Sequence, residues 1–198
     1  MSLAGLILAA GASSRMGRPK PLLAYRGETF LDRLIGLLGR RCSPVVVVLG
    51  HDAETIRAGC PRADQAVFVV NTDWREGQLS SMQCGLRAIP AGAGGVLFTP
   101  VDYPAISAET VEALADRFEQ GGAPLVIPRY NGRRGHPVCC SSELIEEFLS
   151  LPPGSQARDV VRRHAAEAIY VDVDDPGVLL DVDDPEAYDN LTRVAGPR

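Results

Sequence analysis

Short uninterrupted apolar runs alternate along this chain with stretches whose apolar residues recur every three or four positions. The first run covers residues 5–10, a helical pattern occupies 30–41, and VVVVL fills 45–49. That succession marks βαβ units. VVVVL carries no polar alternation, as expected of a parallel strand covered by helices on both faces. The pattern continues with a short helix after Asp52, a strand at 66–70, a helix near 79–88 and a strand at 95–99. Ser107 reads as the N-cap of a helix that ends at Gly121 and Gly122. A strand at 124–128 leads to the pair Asn131-Gly132, a hairpin signal, so the return through His136 to Cys140 is predicted to be antiparallel. A helix then starts at Ser141 or Ser142 and is closed by Pro152-Pro153. The rest predicts a helix at 156–165, a strand at 168–173, an extended piece at 178–182 and a terminal helix from Pro185. VDVDDP (171–176) is nearly repeated as LDVDDP (180–185), too short an echo for a repeat architecture; it reads as chance or as local hairpin-like pairing.

At 198 residues and 45% hydrophobic content, the chain is long and apolar enough for one large core, so a single α/β domain over 1–198 is expected. The net charge of −5 argues against a nucleic-acid or anionic-membrane surface, and a polyanionic ligand must meet a local basic cluster. Five cysteines, an odd number without C-x-x-C spacing, fit neither a disulfide framework nor a zinc site and point to a reducing cytoplasm. The apolar start lacks a basic n-region and reads as a buried strand rather than a signal peptide. No apolar run approaches transmembrane length.

Candidate chemistry begins where the first strand ends. In LAAGASSRMGRPK (8–20), Gly11, Ser13, Arg15, Gly17 and Lys20 follow within ten positions. Such a loop brings backbone N–H groups and two cations to one point, as a polyphosphate requires. It is not a Walker A loop, since no Ser or Thr follows the lysine, nor a G-x-G-x-x-G dinucleotide fingerprint. Ligands of open parallel sheets bind beyond the carboxyl ends of strands. Asp102, held between Pro100 and Pro104, stands at such an end and suits a metal ion against phosphate oxygens, or simply a turn. In NTDWREGQLSSMQCGL (71–86), Gly77, Ser80 and Ser81 offer hydroxyls and free N–H groups to a base or ribose; either serine is equally a plain N-cap, and Trp74 a packing residue. Arg129, Arg133, Arg134 and His136 bracket the hairpin turn as a second basic patch that suits an anionic acceptor. No Ser/His/Asp or Cys/His arrangement is evident.

Taken together, LAAGASSRMGRPK, NTDWREGQLSSMQCGL, TPVDYP, GHPVC and LDVDDPEAY resemble in order and spacing the MobA-like NTP transferase family of molybdenum-cofactor nucleotidyltransferases, within its CTP:molybdopterin cytidylyltransferase branch. The resemblance spans nearly the whole chain. It implies a three-layer αβα Rossmann-like fold with a mostly parallel central sheet and one antiparallel strand. It also implies that Ala9, Ala10, Gly11, Ser13 and Gly17 wrap a triphosphate, with Arg15 toward the departing pyrophosphate, Lys20 on the reacting phosphates, and Gly77, Ser80 and Ser81 nearer the base. Arg15, Lys20 and Asp102 become the catalytic set. Asp102 and Asp183 become Mg²⁺ ligands, with Asp181 as the fallback and the upstream Asp172 and Asp174 not favoured. Arg129, Arg133 and His136 fall to the acceptor. Ala10, where guanylyl enzymes of the family tend to carry glycine, adds a methyl beside the base, worth about 1–3 kcal/mol against a purine. The chain departs from the family at Tyr103, within a segment that is often D-Q-P, and at Asp184, where a threonine is usual.

The implied reaction transfers CMP from CTP to the terminal phosphate of molybdopterin and releases pyrophosphate, with a molybdoenzyme apoprotein as a transient partner. Alternatives are GTP as donor, an acceptor such as a sugar phosphate, phosphocholine or methylerythritol phosphate, or a non-catalytic cofactor-delivery protein.

Overall fold

The computed structural model describes residues 2–195, with side chains through Arg193. Its backbone is an eight-stranded sheet with helices on both faces, as the periodicity predicts. In chain order the elements are β1 (Leu3–Ala9), β2 (Ala24–Tyr25), β3 (Glu28–Thr29), α1 (Phe30–Leu38), β4 (Cys42–Leu49), α2 (Ala53–Ala58), β5 (Val67–Val70), α3 (Gln78–Leu86) and β6 (Gly95–Pro100). After these come α4 (Ala108–Glu119), β7 (Leu125–Tyr130), β8 (Arg133–Arg134), β9 (Val138–Ser141), α5 (Ile145–Ser150), α6 (Ala157–Arg163), β10 (Ile169–Asp172) and α7 (Pro185–Ala195). The strand order is β10-β7-β9-β6-β1-β4-β5, with β8 on β7 and a separate β2–β3 pair. β1, β4, β5 and β6 run parallel; β9 is antiparallel to both β6 and β7, as the Asn131-Gly132 turn requires.

Alternation along the central strands builds two cores. Leu3, Ile7, Val45 and Val47 face one side with Leu34 and Leu38 of α1, Leu114 and Phe118 of α4 and Leu191 of α7. Leu6, Leu8, Val46 and Val48 face the other with Met82 and Leu86 of α3, Phe148 of α5 and Val160 of α6. α3 lies close enough that a Cβ at Gly85 would stand 2.7 Å from Val48 Cγ2. Helix starts follow the local chemistry: Thr29 Oγ1 accepts from Asp32 N, and Ser107 Oγ accepts from Thr110 N.

Two expectations are corrected. The expected extended piece at 178–182 is correct only in part: Pro176–Leu179 form a 3-10 turn, because Asp175 accepts from Gly177 N at 2.9 Å and Pro176 fixes the entering φ, and residues 180–182 join no strand. The two DVDDP copies do not pair as a hairpin either. The first ends β10, parallel to β7, while the second crosses the carboxyl end of β6, where Val182 N donates to Asp102 O at 2.9 Å. Among the described residues no helix is long and apolar enough to cross a membrane.

Candidate active site

The loop after β1 is shaped by Ser13, whose φ of 51° turns the chain sharply. Its carbonyl accepts from Met16 N and Gly17 N, and its hydroxyl accepts from Lys20 N at 3.0 Å. Gly17 has φ 70°, a conformation a side chain would strain, and buried Met16 pins the loop to the core. Lys20 is thereby directed back across the carboxyl end of β1. There it meets Asp102, at the carboxyl end of β6, whose loop is held by Arg33 Nε donating to Pro104 O at 2.7 Å.

Lys20 Nζ lies 2.5 Å from Asp183 Oδ1 and 3.3 Å from Asp102 Oδ2, and Arg15 Nη2 lies 2.8 Å from Asp183 Oδ2. Asp181 joins them: one oxygen from each of Asp102, Asp181 and Asp183 falls within 4.8 Å of the others. Their environments differ. Hydrogen bonding from Lys20 holds the Asp183 carboxyl below the usual carboxylate range. Burial pushes Asp102 up despite the same lysine. Asp181 is pushed up to about 6, first by burial and then by the two neighbouring carboxylates. Asp102 Oδ1 is buried and has no hydrogen-bond partner among the described residues.

Arg15, Lys20, Asp102 and Asp183 line a cleft of about 530 Å³ together with Ala9, Ala10, Gly11, Ser13, Trp74, Arg75, Gly77, Gln78 and Ser81, while Asp181 stands outside that lining. Gly17 shapes the loop from outside that lining, and Ser80 faces a separate hollow beyond α3. Ser80 Oγ donates to Asp73 O and Gly77 O and accepts from Asn71 Nδ2, which also donates to Ser81 Oγ at 3.1 Å. Neither serine is the N-cap of α3; Gly77 is.

A second cavity of about 340 Å³ adjoins the cleft and shares Leu8, Gln78 and Pro100 with it. Phe98, Tyr103, Arg133, Arg134, His136 and Arg158 contribute to its walls. The expected basic patch is altered in two ways. Arg129 is outside this lining, clasped by both oxygens of Asp172 at 2.7 and 2.8 Å. Burial holds the His136 imidazole down to about 4, so it is neutral at pH 7, with Nδ1 unpartnered among the described residues and Tyr103 against its ring at 4.6 Å between centroids. The charge here comes from arginines alone. Arg158, on α6, gave no sequence signal, since one arginine on a helix reads as solvated surface.

A family model described as MobA-like NTP transferase domain matches residues 5–168. The chain belongs to this family. The transferase is 35% identical over 193 residues to the nicotine blue oxidoreductase of Paenarthrobacter nicotinovorans, covering 92% of each chain. It is 24% identical over 183 residues to the molybdenum cofactor cytidylyltransferase of Escherichia coli K12, again covering 92% of each. To a "Probable molybdenum cofactor guanylyltransferase" of Mycobacterium tuberculosis H37Rv it is 36% identical over 135 residues, covering 66% of this chain and 63% of that one. The crystal structure of Rv0371c from M. tuberculosis H37Rv matches the transferase with a TM-score of 0.84 at 28% identity over 98% of both chains. The manganese complex of Rv0371c matches at 0.79 and 26% identity, over 98% of this chain and 99% of that one. The three carboxylates of the transferase form an all-oxygen donor set of the kind that holds a divalent cation.

Proposed function

We propose that this nucleotidyltransferase, working as one domain, transfers CMP from CTP to the terminal phosphate of a molybdopterin-type acceptor and releases pyrophosphate. The observation that carries the reading is the bridge of Lys20 between Asp102 and Asp183, set against the glycine loop and opening onto a second cavity lined by aromatic side chains and arginines. Asp102, Asp181 and Asp183 fit Mg²⁺, because an orphaned buried carboxylate oxygen and a carboxyl pushed up to about 6 by its neighbours are both relieved by a hard cation. When bound, such an ion neutralises phosphate charge at the reacting centre.

The chain's own residues hold and align the rest. The loop from Gly11 to Gly17 receives the triphosphate, with Lys20 against the α- and β-phosphates and Arg15 on the side of the leaving pyrophosphate. An oxygen of the acceptor phosphate forms the new bond to the α-phosphorus while the α–β P–O bond breaks. That oxygen is already anionic, so no general base is needed, and positioning with charge neutralisation supplies the rate. Arg133, Arg134 and Arg158 face the acceptor's charge, and Tyr103 with neutral His136 faces its ring.

The test is pyrophosphate release across the four nucleoside triphosphates and a panel of acceptors, with and without Mg²⁺ or Mn²⁺. The expected result is metal-dependent turnover fastest with CTP and the pterin acceptor. Faster turnover with GTP, or with a sugar phosphate, phosphocholine or methylerythritol phosphate, overturns the assignment. The relation to an oxidoreductase over 92% of both chains favours a second reading, a reductase that binds a dissociable electron donor. Against it, the loop after β1 lacks the dinucleotide glycine spacing. Oxidation of a reduced nicotinamide without any pyrophosphate release would decide for that reading.

A further inference from the structure

Trp74 is the single tryptophan of the chain, and its position is enforced from several directions. Behind it stands Gly50, where a Cβ would lie 2.7 Å from both Trp74 Cβ and the Ala10 carbonyl oxygen. No larger residue fits there without displacing the indole or the floor of the cleft. His51 meets the indole edge-on at 5.3 Å between ring centroids, and its backbone N–H donates to Ala10 O at 3.1 Å. The exposed Arg75 guanidinium stacks over the ring at 4.4 Å. An indole covered in this way is a fixed wall rather than an open stacking platform. It lines the same cleft as Ala10, Gly77, Gln78 and Ser81 and as Arg15, Lys20, Asp102 and Asp183.

We propose that Trp74, clamped by Gly50, His51 and Arg75, is a size gate that admits a single-ring base and excludes a purine. In that arrangement the triphosphate lies on the glycine loop and the base lies against Trp74. The proposal rests on the nucleotide reading of the cleft but on no particular acceptor. A size gate sorts the four nucleotides into two pairs, CTP with UTP and ATP with GTP. Discrimination between CTP and UTP must come from hydrogen-bonding groups instead.

The experiment is calorimetric titration of the protein with each nucleoside triphosphate in the presence of Mg²⁺ and without acceptor. The wild type is expected to bind both pyrimidine nucleotides tighter than both purine nucleotides. Trp74→Ala is expected to lower that pyrimidine-to-purine ratio by about tenfold while leaving CTP:UTP unchanged. Should Trp74→Ala fail to fold, Arg75→Ala carries the test, with a shift in the same sense of about two- to fivefold, the scale of an exposed cation–π contact. Equal binding of purines and pyrimidines by the wild type overturns the gate, as does an unchanged ratio in the folded variant or a change confined to CTP:UTP. Tight CTP binding without transfer to a pterin acceptor sinks the proposed reaction and leaves the gate standing.

Discussion

Replacing Lys20 by methionine keeps the length of the side chain and removes its charge. The side chain is only 11% exposed and touches two carboxylates, so both contacts vanish in one substitution. Breaking a buried pair costs about 3–5 kcal/mol. Asp183 is 33% exposed and keeps Arg15, so the loss of folding stability is expected to be smaller, about 2 kcal/mol. The rate loss is separate: one preorganised donor on a developing charge is worth about 10²-fold, or about 2.7 kcal/mol of barrier. The pH dependence adds a second check. In the wild type the Asp183 carboxyl lies below its ordinary 3.8, so its stabilisation is complete above 3.8 and is lost as pH falls through the lower folded value. In the variant that cause is gone and the three carboxylates repel one another, so its melting temperature should rise more steeply than that of the wild type, whose raised Asp181 and Asp102 already favour folding as pH falls, when pH is lowered from about 7 to 5. The assay is pyrophosphate release with CTP and the pterin acceptor, paired with thermal melts across pH. A Lys20→Met protein that melts like the wild type and turns over within tenfold of it would refute the role given to the lysine.

Asp102→Asn, which keeps the shape but removes the negative charge and one of the two oxygen donors at the buried position, should weaken Mn²⁺ binding by more than about tenfold, read by electron paramagnetic resonance; unchanged affinity removes Asp102 from the metal set. The neutral, buried His136 favours folding fully above 6.5, and that contribution fades as pH falls from 6.5 toward about 4, by up to about 3 kcal/mol. His136→Phe should flatten this acid slope in urea unfolding, and an identical slope would show that the imidazole is not its source. Asp175 accepts from Ser107 N, Thr110 Oγ1 and Gly177 N at 2.7–2.9 Å, so Asp175→Ala should cost about 3 kcal/mol in melts with little change in metal affinity. A loss of less than about 0.5 kcal/mol would show that water replaces those bonds.

The layered fold was legible because its strands and helices obey two different periods and the cap of one helix is spelled in a single residue, Ser107. The antiparallel β9 was legible from Asn131-Gly132, whose φ values of 48° and 76° are those of a primed turn. Residues 178 and 179 were misread because VLLDV is a short apolar run like those of the true strands, whereas Asp175 and Pro176 had already committed the backbone to a turn. Lys20, Asp102 and Asp183 were nameable from their motifs. The inclusion of Asp181 had a weaker signal, its i, i+2 spacing to Asp183, which puts both side chains on one side of an extended segment. The charge of His136 was not legible, since burial between Phe98 and Tyr103 decides it. Nor was Trp74, because what fixes the indole is a glycine far away in sequence whose only contribution is the absence of a side chain.

The bond from Lys20 to Asp183 joins residues 163 positions apart. Such a contact closes a very long loop, so the entropy of closure must be offset by the sheet assembled between the two partners before their charges can meet.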